Sequence, residues 1–117
     1  MKSENVVQIK SYNFALRIIK VYKYLSQEKK EFVLSKQLLR SGTSIGANIE
    51  ESIGGQSKAD FFAKLTIAYK ETRESKYWIR LLRDSECLTV DQAEDLLKDV
   101  EELLKIIGSI QKTVRNS

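Results

Sequence analysis

Residues 38–52 read Leu-Leu-Arg-Ser-Gly-Thr-Ser-Ile-Gly-Ala-Asn-Ile-Glu-Glu-Ser, and this stretch indicates most clearly how the chain folds. Gly42 and Gly46 are four residues apart, so a helix places them on one face. A glycine inside a helix costs about 1 kcal/mol relative to alanine, which calls for a structural reason. The neighbouring side chains are small as well: Thr43, Ser44 and Ala47. The pattern predicts that another helix packs closely against Gly42 and Gly46.

A polar cluster is predicted beside these glycines. Asn48 falls on the apolar helical face that holds Ile45, so we expect it to be buried and hydrogen-bonded. Glu71 or Glu74 of a later helix are the expected partners, with Arg40 to compensate their charge. We interpret the group as structural. The alternative is a catalytic carboxylate pair, which would lack an accompanying base, nucleophile or metal ligand.

Composition limits the classes of function that the chain can serve. Its 117 residues include no histidine, no proline and one cysteine. We expect a single domain, residues 1–117. The lack of histidine argues against most enzymes and metal sites, and one cysteine excludes a disulfide framework and a cysteine-built zinc site. The prediction is therefore a protein that is not an enzyme and holds no metal or cofactor.

Hydrophobic periodicity is helical along the whole chain, and it predicts an all-α protein. Four helices are expected at residues 5–26, 35–53, 58–83 and 90–114. Ser35, Ser57 and Thr89 are the expected N-caps, with Gln92 completing a capping box after Thr89. Gly54-Gly55 is expected to end the second helix. Long helices with short connections favour an up-down-up-down antiparallel four-helix bundle.

The first helix carries two apolar stripes where a bundle helix needs one. The first stripe contains Val7, Phe14, Ile18, Val21 and Leu25. The second lies about 150° further round the helix and contains Ile9, Tyr12, Leu16 and Ile19. The third helix has a similar surplus in Ala63, Ile67, Trp78 and Leu81. We interpret the surplus as a subunit interface of a homo-oligomer. The alternative is a wide bundle that leaves these residues partly exposed.

The net charge is +4, and its distribution is uneven. Bases are in excess in residues 1–40 and 58–83, whereas acids are in excess in residues 84–117. Two basic stripes are therefore candidate phosphate-binding faces: Lys10, Arg17, Lys20 and Lys23 on the first helix, and Arg73, Lys76, Arg80 and Arg83 on the third. The alternative is that these bases form a solvated face paired with the acids of the fourth helix.

No segment predicts contact with a membrane. The polar residues Met1 to Asn5 are unlike the start of a signal peptide, so none is expected, and no run of 18 apolar residues predicts a transmembrane helix. The expected location is the cytoplasm, with no membrane partner.

Residues 37–51, Gln-Leu-Leu-Arg-Ser-Gly-Thr-Ser-Ile-Gly-Ala-Asn-Ile-Glu-Glu, resemble the signature of the small bacterial proteins encoded within intervening sequences of 23S rRNA genes. The resemblance extends over about residues 10 to 113. That family's motif usually ends Ala-Glu-Gly, where this chain has Glu50-Glu51-Ser52, with its glycines shifted to Gly54-Gly55. The positions that match the family pattern are Arg40, Ser44, Asn48, Glu51 and Glu71. We interpret them as structural or interfacial residues.

This resemblance implies a four-helix bundle that assembles as a ring, and the expected ring is a homopentamer. Relatives include the accessory protein of diversity-generating retroelements, a basic ring that binds nucleic acid and its reverse transcriptase. The expected function is therefore oligomeric nucleic-acid binding, with RNA favoured over DNA. The alternative is a scaffold that recruits a partner protein such as a reverse transcriptase.

Overall fold

The computed structural model describes the backbone of residues 2–117 and the side chains of residues 6–117. It contains four helices and, in that part of the chain, no strand. The helices are α1 (Lys2–Gln27), α2 (Leu34–Ile53), α3 (Lys58–Asp84) and α4 (Val90–Arg115). The all-α prediction is confirmed. α1 begins three residues before the predicted start, and each of the other helices begins or ends within one residue of expectation.

The four helices pack around one apolar core. α1 contacts α2, α2 contacts α3, α3 contacts α4, and α4 also contacts α1. No Cα pair within 8 Å joins α1 to α3 or α2 to α4 in the described chain. The first apolar stripe of α1 lies in the core, with Val21 partly buried and its other members buried, and α2, α3 and α4 contribute further buried apolar side chains. Its largest fully buried side chains include Phe14, Ile18, Leu65, Ile79 and Ile107.

Several side-chain contacts fix which residues lie side by side. Between α1 and α2, Gln8 donates to Glu50 and Ile18 lies against Gly42. Between α2 and α3, Arg40 meets Glu74, whereas Glu51 meets Lys64 near the other end. Between α3 and α4, the corresponding pairs are Lys76 with Glu101 and Thr66 with Gln111.

The start of α2 differs from the prediction. Ser35 is not the N-cap: it lies inside the helix, is buried, and its hydroxyl donates to the Glu31 carbonyl. Glu31 satisfies the first turn instead, because its carboxylate accepts from the backbone N–H groups of Val33, Leu34 and Ser35 at 3.1, 3.1 and 2.7 Å. The Glu31 carboxylate accepts from three backbone N–H groups, more than the one or two that a serine hydroxyl at the N-cap can satisfy. Glu31 therefore replaces Ser35 as the capping residue.

The Glu31→Gln substitution should lower the free energy of unfolding by about 1 kcal/mol at pH 7. Partial burial raises the pKa of Glu31, but the three backbone donors outweigh it, and the pKa lies below its ordinary value of 4.5. Because the pKa of Glu31 is lower in the folded state than in the unfolded state, ionised Glu31 stabilises the fold at pH values above the unfolded-state pKa. This stabilisation is lost as the pH falls through the folded-state pKa. Urea unfolding of both proteins between pH 7 and pH 3 should therefore show the difference shrinking towards pH 3. A difference that stays constant with pH would contradict the capping role.

The other predicted helix ends are confirmed. The Ser57 hydroxyl accepts from the Asp60 N–H at 3.0 Å, and Thr89 and Gln92 form the capping box. Gly54 is the C-cap of α2. Neither Gly54 nor Gly55 has a positive φ, so the turn does not use the left-handed conformation that favours glycine.

None of the described helices combines the length and the apolar character that crossing a lipid bilayer requires.

Candidate nucleic-acid interface

Two of the predicted bases of α1 are engaged by α4. The Lys10 ammonium lies 2.9 Å from a Glu102 carboxylate oxygen. Arg17 pairs with both Asp95 and Asp99. Burial lowers the pKa of Arg17, but the hydrogen bonds to Asp99 and Asp95 outweigh it, so the pKa is raised and the guanidinium stays charged. These ion pairs connect α1 to α4 along the side where the two helices meet.

Two of the predicted bases of α3 are also paired with α4. Lys76 lies 2.7 Å from Glu101, and Arg83 lies 2.9 Å from Glu94 and 2.8 Å from Asp84. The hydrogen bonds to Asp84 and Glu94 raise the pKa of Arg83, and the bond to Arg83 lowers the pKa of Asp84. The acids of α4 thus form ion pairs with bases on both neighbouring helices. For Lys10, Arg17, Lys76 and Arg83, this is the alternative interpretation, in which the bases pair with the acids of the fourth helix.

The remaining four predicted bases have free head groups. Lys20, Lys23, Arg73 and Arg80 are exposed and form no ion pair with any other residue in the described part of the chain. The structure therefore divides the eight predicted phosphate-binding residues into two sets of four. Only the second set is available to an external anion without breaking an ion pair.

Sequence reasoning missed two further bases, on α4. Lys98 and Lys105 are exposed and line an open surface cavity of about 430 Å³ together with Glu94, Glu101 and Glu102. The sequence offered no reason to select them, because α4 is acidic as a whole. In the structure, each of these three glutamates forms an ion pair with a base of α1 or α3. The signal that could have found them is their seven-residue spacing, which places both on one face of α4.

The predicted polar cluster forms between α2 and α3. Arg40 donates to Glu71 at 3.2 Å and also pairs with Glu74. Glu71 is buried, with 7% of its surface exposed. Trp78 donates its indole N–H to Glu74 at 3.0 Å. The arrangement holds two carboxylates with one guanidinium and one indole, and thereby connects α2 to α3.

Asn48 does not belong to this cluster, so that prediction is wrong. Its side chain is half-buried at the flank of α2, and its amide donates to the Ser44 carbonyl of the same helix at 2.8 Å. Arg40 donates to Glu71 and Glu74, and Trp78 donates to Glu74, so other groups supply the hydrogen bonds that were expected from Asn48. Ser44 donates to the Arg40 carbonyl, and Glu51 pairs with Lys64 on the surface.

The two glycines of α2 face α1, as predicted. A Cβ atom on Gly42 would lie 2.9 Å from Ile18 Cγ1, whereas one on Gly46 would lie 3.4 Å from the Ser11 carbonyl oxygen. Gly42 therefore has no room for a side chain against buried Ile18. In the same layer, the buried hydroxyls of Ser41 and Ser75 join α2 to α3 by a hydrogen bond of 2.9 Å.

Three of the four side chains in the second apolar stripe of α1 are exposed, and the fourth, Ile19, is partly buried. Ile9 and Tyr12 are each 62% exposed, and Leu16 is 46% exposed. Of the corresponding surplus on α3, Trp78 and Leu81 are partly buried, whereas Ala63 and Ile67 are exposed. Within the described residues, no three potential ligands from histidine, cysteine, aspartate and glutamate come together in a metal-binding group.

Comparisons with known proteins agree on the family. A family model described as "23S rRNA-intervening sequence protein" matches residues 3–109. A solved structure from Bacteroides thetaiotaomicron, described as a protein with unknown function from the S23 ribosomal protein family, is 53% identical, with a TM-score of 0.93. The match covers 94% of this chain and 98% of that one. No curated protein matches. The chain therefore belongs to the 23S rRNA-intervening sequence protein family.

Proposed function

We propose that this protein is a non-enzymatic homo-oligomer that binds nucleic acid, RNA in preference to DNA, through exposed bases of α1 and α3. The observation that carries the proposal is the set Lys20, Lys23, Arg73 and Arg80, exposed and outside the ion pairs that hold α4. Free bases on a chain of net charge +4 attract phosphate backbones by displacing their counterions. The sequence contains no helix-turn-helix or other base-reading motif, so the contacts are with phosphate and largely independent of nucleotide sequence.

The topology we infer is the up-down-up-down antiparallel bundle. The contact pairs support it, because the early part of one helix meets the late part of its neighbour: Gln8 of early α1 meets Glu50 of late α2, and Lys64 of early α3 meets Glu51 of late α2. In this topology the bases of α1 and those of α3 lie on opposite sides of the subunit, so an assembly of several subunits would present both faces repeatedly.

The homo-oligomer is supported by the exposed stripe of α1. A run of large apolar side chains along one helix is costly in water, at about 25 cal/mol for each Å² left uncovered, and burying it against another copy removes that cost. The ring form, a homopentamer, is the assembly that the family resemblance implies. A closed ring would give each subunit the same environment.

The test of nucleic-acid binding is fluorescence anisotropy of nuclease-treated protein with a labelled RNA hairpin and a DNA duplex over a salt series. We expect micromolar or tighter affinity for RNA that falls steeply as salt rises, because each phosphate contact releases a counterion. Tighter binding of RNA than DNA would point to recognition of shape or of 2′-hydroxyl groups. No binding at low salt would contradict the proposal.

The second candidate is a scaffold that recruits a partner protein such as a reverse transcriptase. The exposed α1 stripe favours it, since apolar surface of this kind also suits a different chain. Affinity purification after nuclease treatment distinguishes the two candidates. A stoichiometric protein partner together with absent RNA binding would support the scaffold.

The Ile9→Glu/Tyr12→Glu double substitution should shift the protein from oligomer to monomer, because it places two charges in the stripe without touching the core. Light scattering coupled to gel filtration measures the mass. The matched control is Val90→Glu, since Val90 is also 62% exposed but lies at the start of α4. The control should keep the wild-type mass. Equal masses for the double variant and the wild type would show that the stripe is not the interface.

A further inference from the structure

The outer face of the α3–α4 pair carries four bases that we name the α3/α4 array: Arg73, Arg80, Lys98 and Lys105. All four are exposed, and none forms an ion pair with another described residue. Lys98 and Lys105 come from a helix that is acidic overall, so this face gains its positive character only because the neighbouring acids are already paired. The array therefore differs from both stripes predicted from the sequence.

The register of α3 and α4 arranges the array in two tiers. The ion pair between Lys76 and Glu101 lies in the middle. Arg73 and Lys105 lie one turn away on the side where Tyr69 approaches Gly108. Arg80 and Lys98 lie one turn away on the opposite side, towards the pair of Arg83 with Glu94. Seven residues separate the members of each helix, which places the tiers about 10 Å apart along the bundle.

An aromatic side chain lies between the tiers along the axis of α3, on the side of Arg73 and Arg80 that is away from α4. Tyr77 follows Arg73 by one turn and precedes Arg80 by one turn, and it is 51% exposed. Its ring packs edge-to-face on Trp78, with ring centroids 5.2 Å apart. Trp78 is itself anchored by its hydrogen bond to Glu74. The Tyr77 ring thus packs against Trp78 and is partly exposed to solvent. On the helix surface it is a neighbour of Arg73 and Arg80, which form no ion pair with a described residue.

We propose that the α3/α4 array binds single-stranded RNA, with its bases on phosphates and Tyr77 stacked against an unpaired nucleobase. This inference rests on the proposed function and narrows it to one surface and one form of nucleic acid. A base inside a duplex has no free face to stack, so an exposed ring between phosphate-binding groups is useful only to a single strand. Two tiers about 10 Å apart suit an extended backbone, whose phosphates recur every few ångströms.

The test uses the full-length protein and fluorescence anisotropy with three labelled probes: a 12-nucleotide single-stranded RNA, the same sequence as DNA, and a blunt-ended RNA duplex of 12 base pairs. The quadruple variant replaces Arg73, Arg80, Lys98 and Lys105 with Gln. Its control replaces four other exposed lysines with Gln: Lys29, Lys30, Lys36 and Lys58. The array variant should bind the single-stranded RNA on the order of a hundredfold more weakly at low salt, and its salt slope should fall by roughly 0.7 for each phosphate that it no longer neutralises. The control variant should bind nearly as the wild type does.

Tyr77 is tested separately. Tyr77→Leu should weaken binding of the single strand roughly tenfold, whereas Tyr77→Phe, which keeps the ring, should not. Neither substitution should change binding of the RNA duplex, whose bases are all paired. The single-stranded DNA probe should bind through the same array, and a weaker affinity for it would assign a contribution to the 2′-hydroxyl groups.

The outcomes separate this inference from the proposed function. If the wild type binds no RNA probe, both fall. If the wild type binds RNA but the array variant and its control behave alike, the inference is overturned, and of the proposed function only binding through the α1 bases Lys20 and Lys23 stands. Unchanged single-strand affinity in Tyr77→Leu, or equal competition by polyglutamate at matched charge concentration, would likewise overturn it, because stacking on an RNA base could not then explain the site.

Discussion

The Gly42→Val substitution should lower the free energy of unfolding by roughly 3 kcal/mol. The Cβ atom alone would lie 2.9 and 3.0 Å from the two γ carbons of Ile18, closer than carbon atoms pack. Ile18 is fully buried, so its side chain has no open space into which to turn. The two added methyl groups of valine increase the overlap. Urea unfolding followed by circular dichroism, at one protein concentration for all variants, measures the loss.

The matched control is an alanine at each glycine of the same face. Gly42→Ala should be destabilising despite the helix propensity that alanine adds, whereas Gly46→Ala should be neutral or stabilising by up to about 1 kcal/mol. The nearest atom to a Cβ at position 46 is the Ser11 carbonyl oxygen at 3.4 Å, which is ordinary contact. Ile18→Ala alone should cost about 2–5 kcal/mol. Combined with Gly42→Ala it should cost less than the sum, and strict additivity would argue against the contact.

The Arg40→Ala substitution should lower the free energy of unfolding by about 2 kcal/mol. It removes the guanidinium that satisfies Glu71, whose side chain is buried, and it frees Glu74 at the same time. A buried carboxylate without its partner pays a desolvation cost that an exposed one does not. Arg40 is itself half exposed, and solvent therefore reduces the loss below that of a fully buried ion pair.

Rescue distinguishes this explanation from a loss of packing. Glu71→Gln removes the buried charge and nearly preserves the shape, so Arg40→Ala should cost no more than half as much in a Glu71→Gln background. The surface pair of Lys64 with Glu51 supplies the control, because Lys64→Ala should change stability by well under 1 kcal/mol. Equal losses from Arg40→Ala in both backgrounds would show that Glu71 is not the reason for the effect.

The amino-acid sequence by itself determined the four helices, most of their caps, and the close contact of the Gly42 face. These features depend on neighbours within a few residues: Thr89 and Gln92 are three residues apart, and the glycine spacing is one helical turn. Periodicity and capping are local, so they can be deduced without knowing which helices meet. The family signature lies in the same local pattern of residues 37–51.

Only the tertiary structure decided how polar groups are shared among the helices. The eight predicted phosphate-binding bases separate into paired and free sets because α4 places its acids against Lys10, Arg17, Lys76 and Arg83, and segment charge could not show which base meets which acid. Lys98 and Lys105 are available to an external anion because the glutamates around them pair with bases of α1 and α3. The predicted roles of Asn48 and Ser35 are wrong because another side chain fills each role: Arg40 is the partner of Glu71, and Glu31 caps the start of α2. Hydrogen bonds and ion pairs act over only a few ångströms, so their partners depend on the register between helices, which the helical pattern of one segment does not contain.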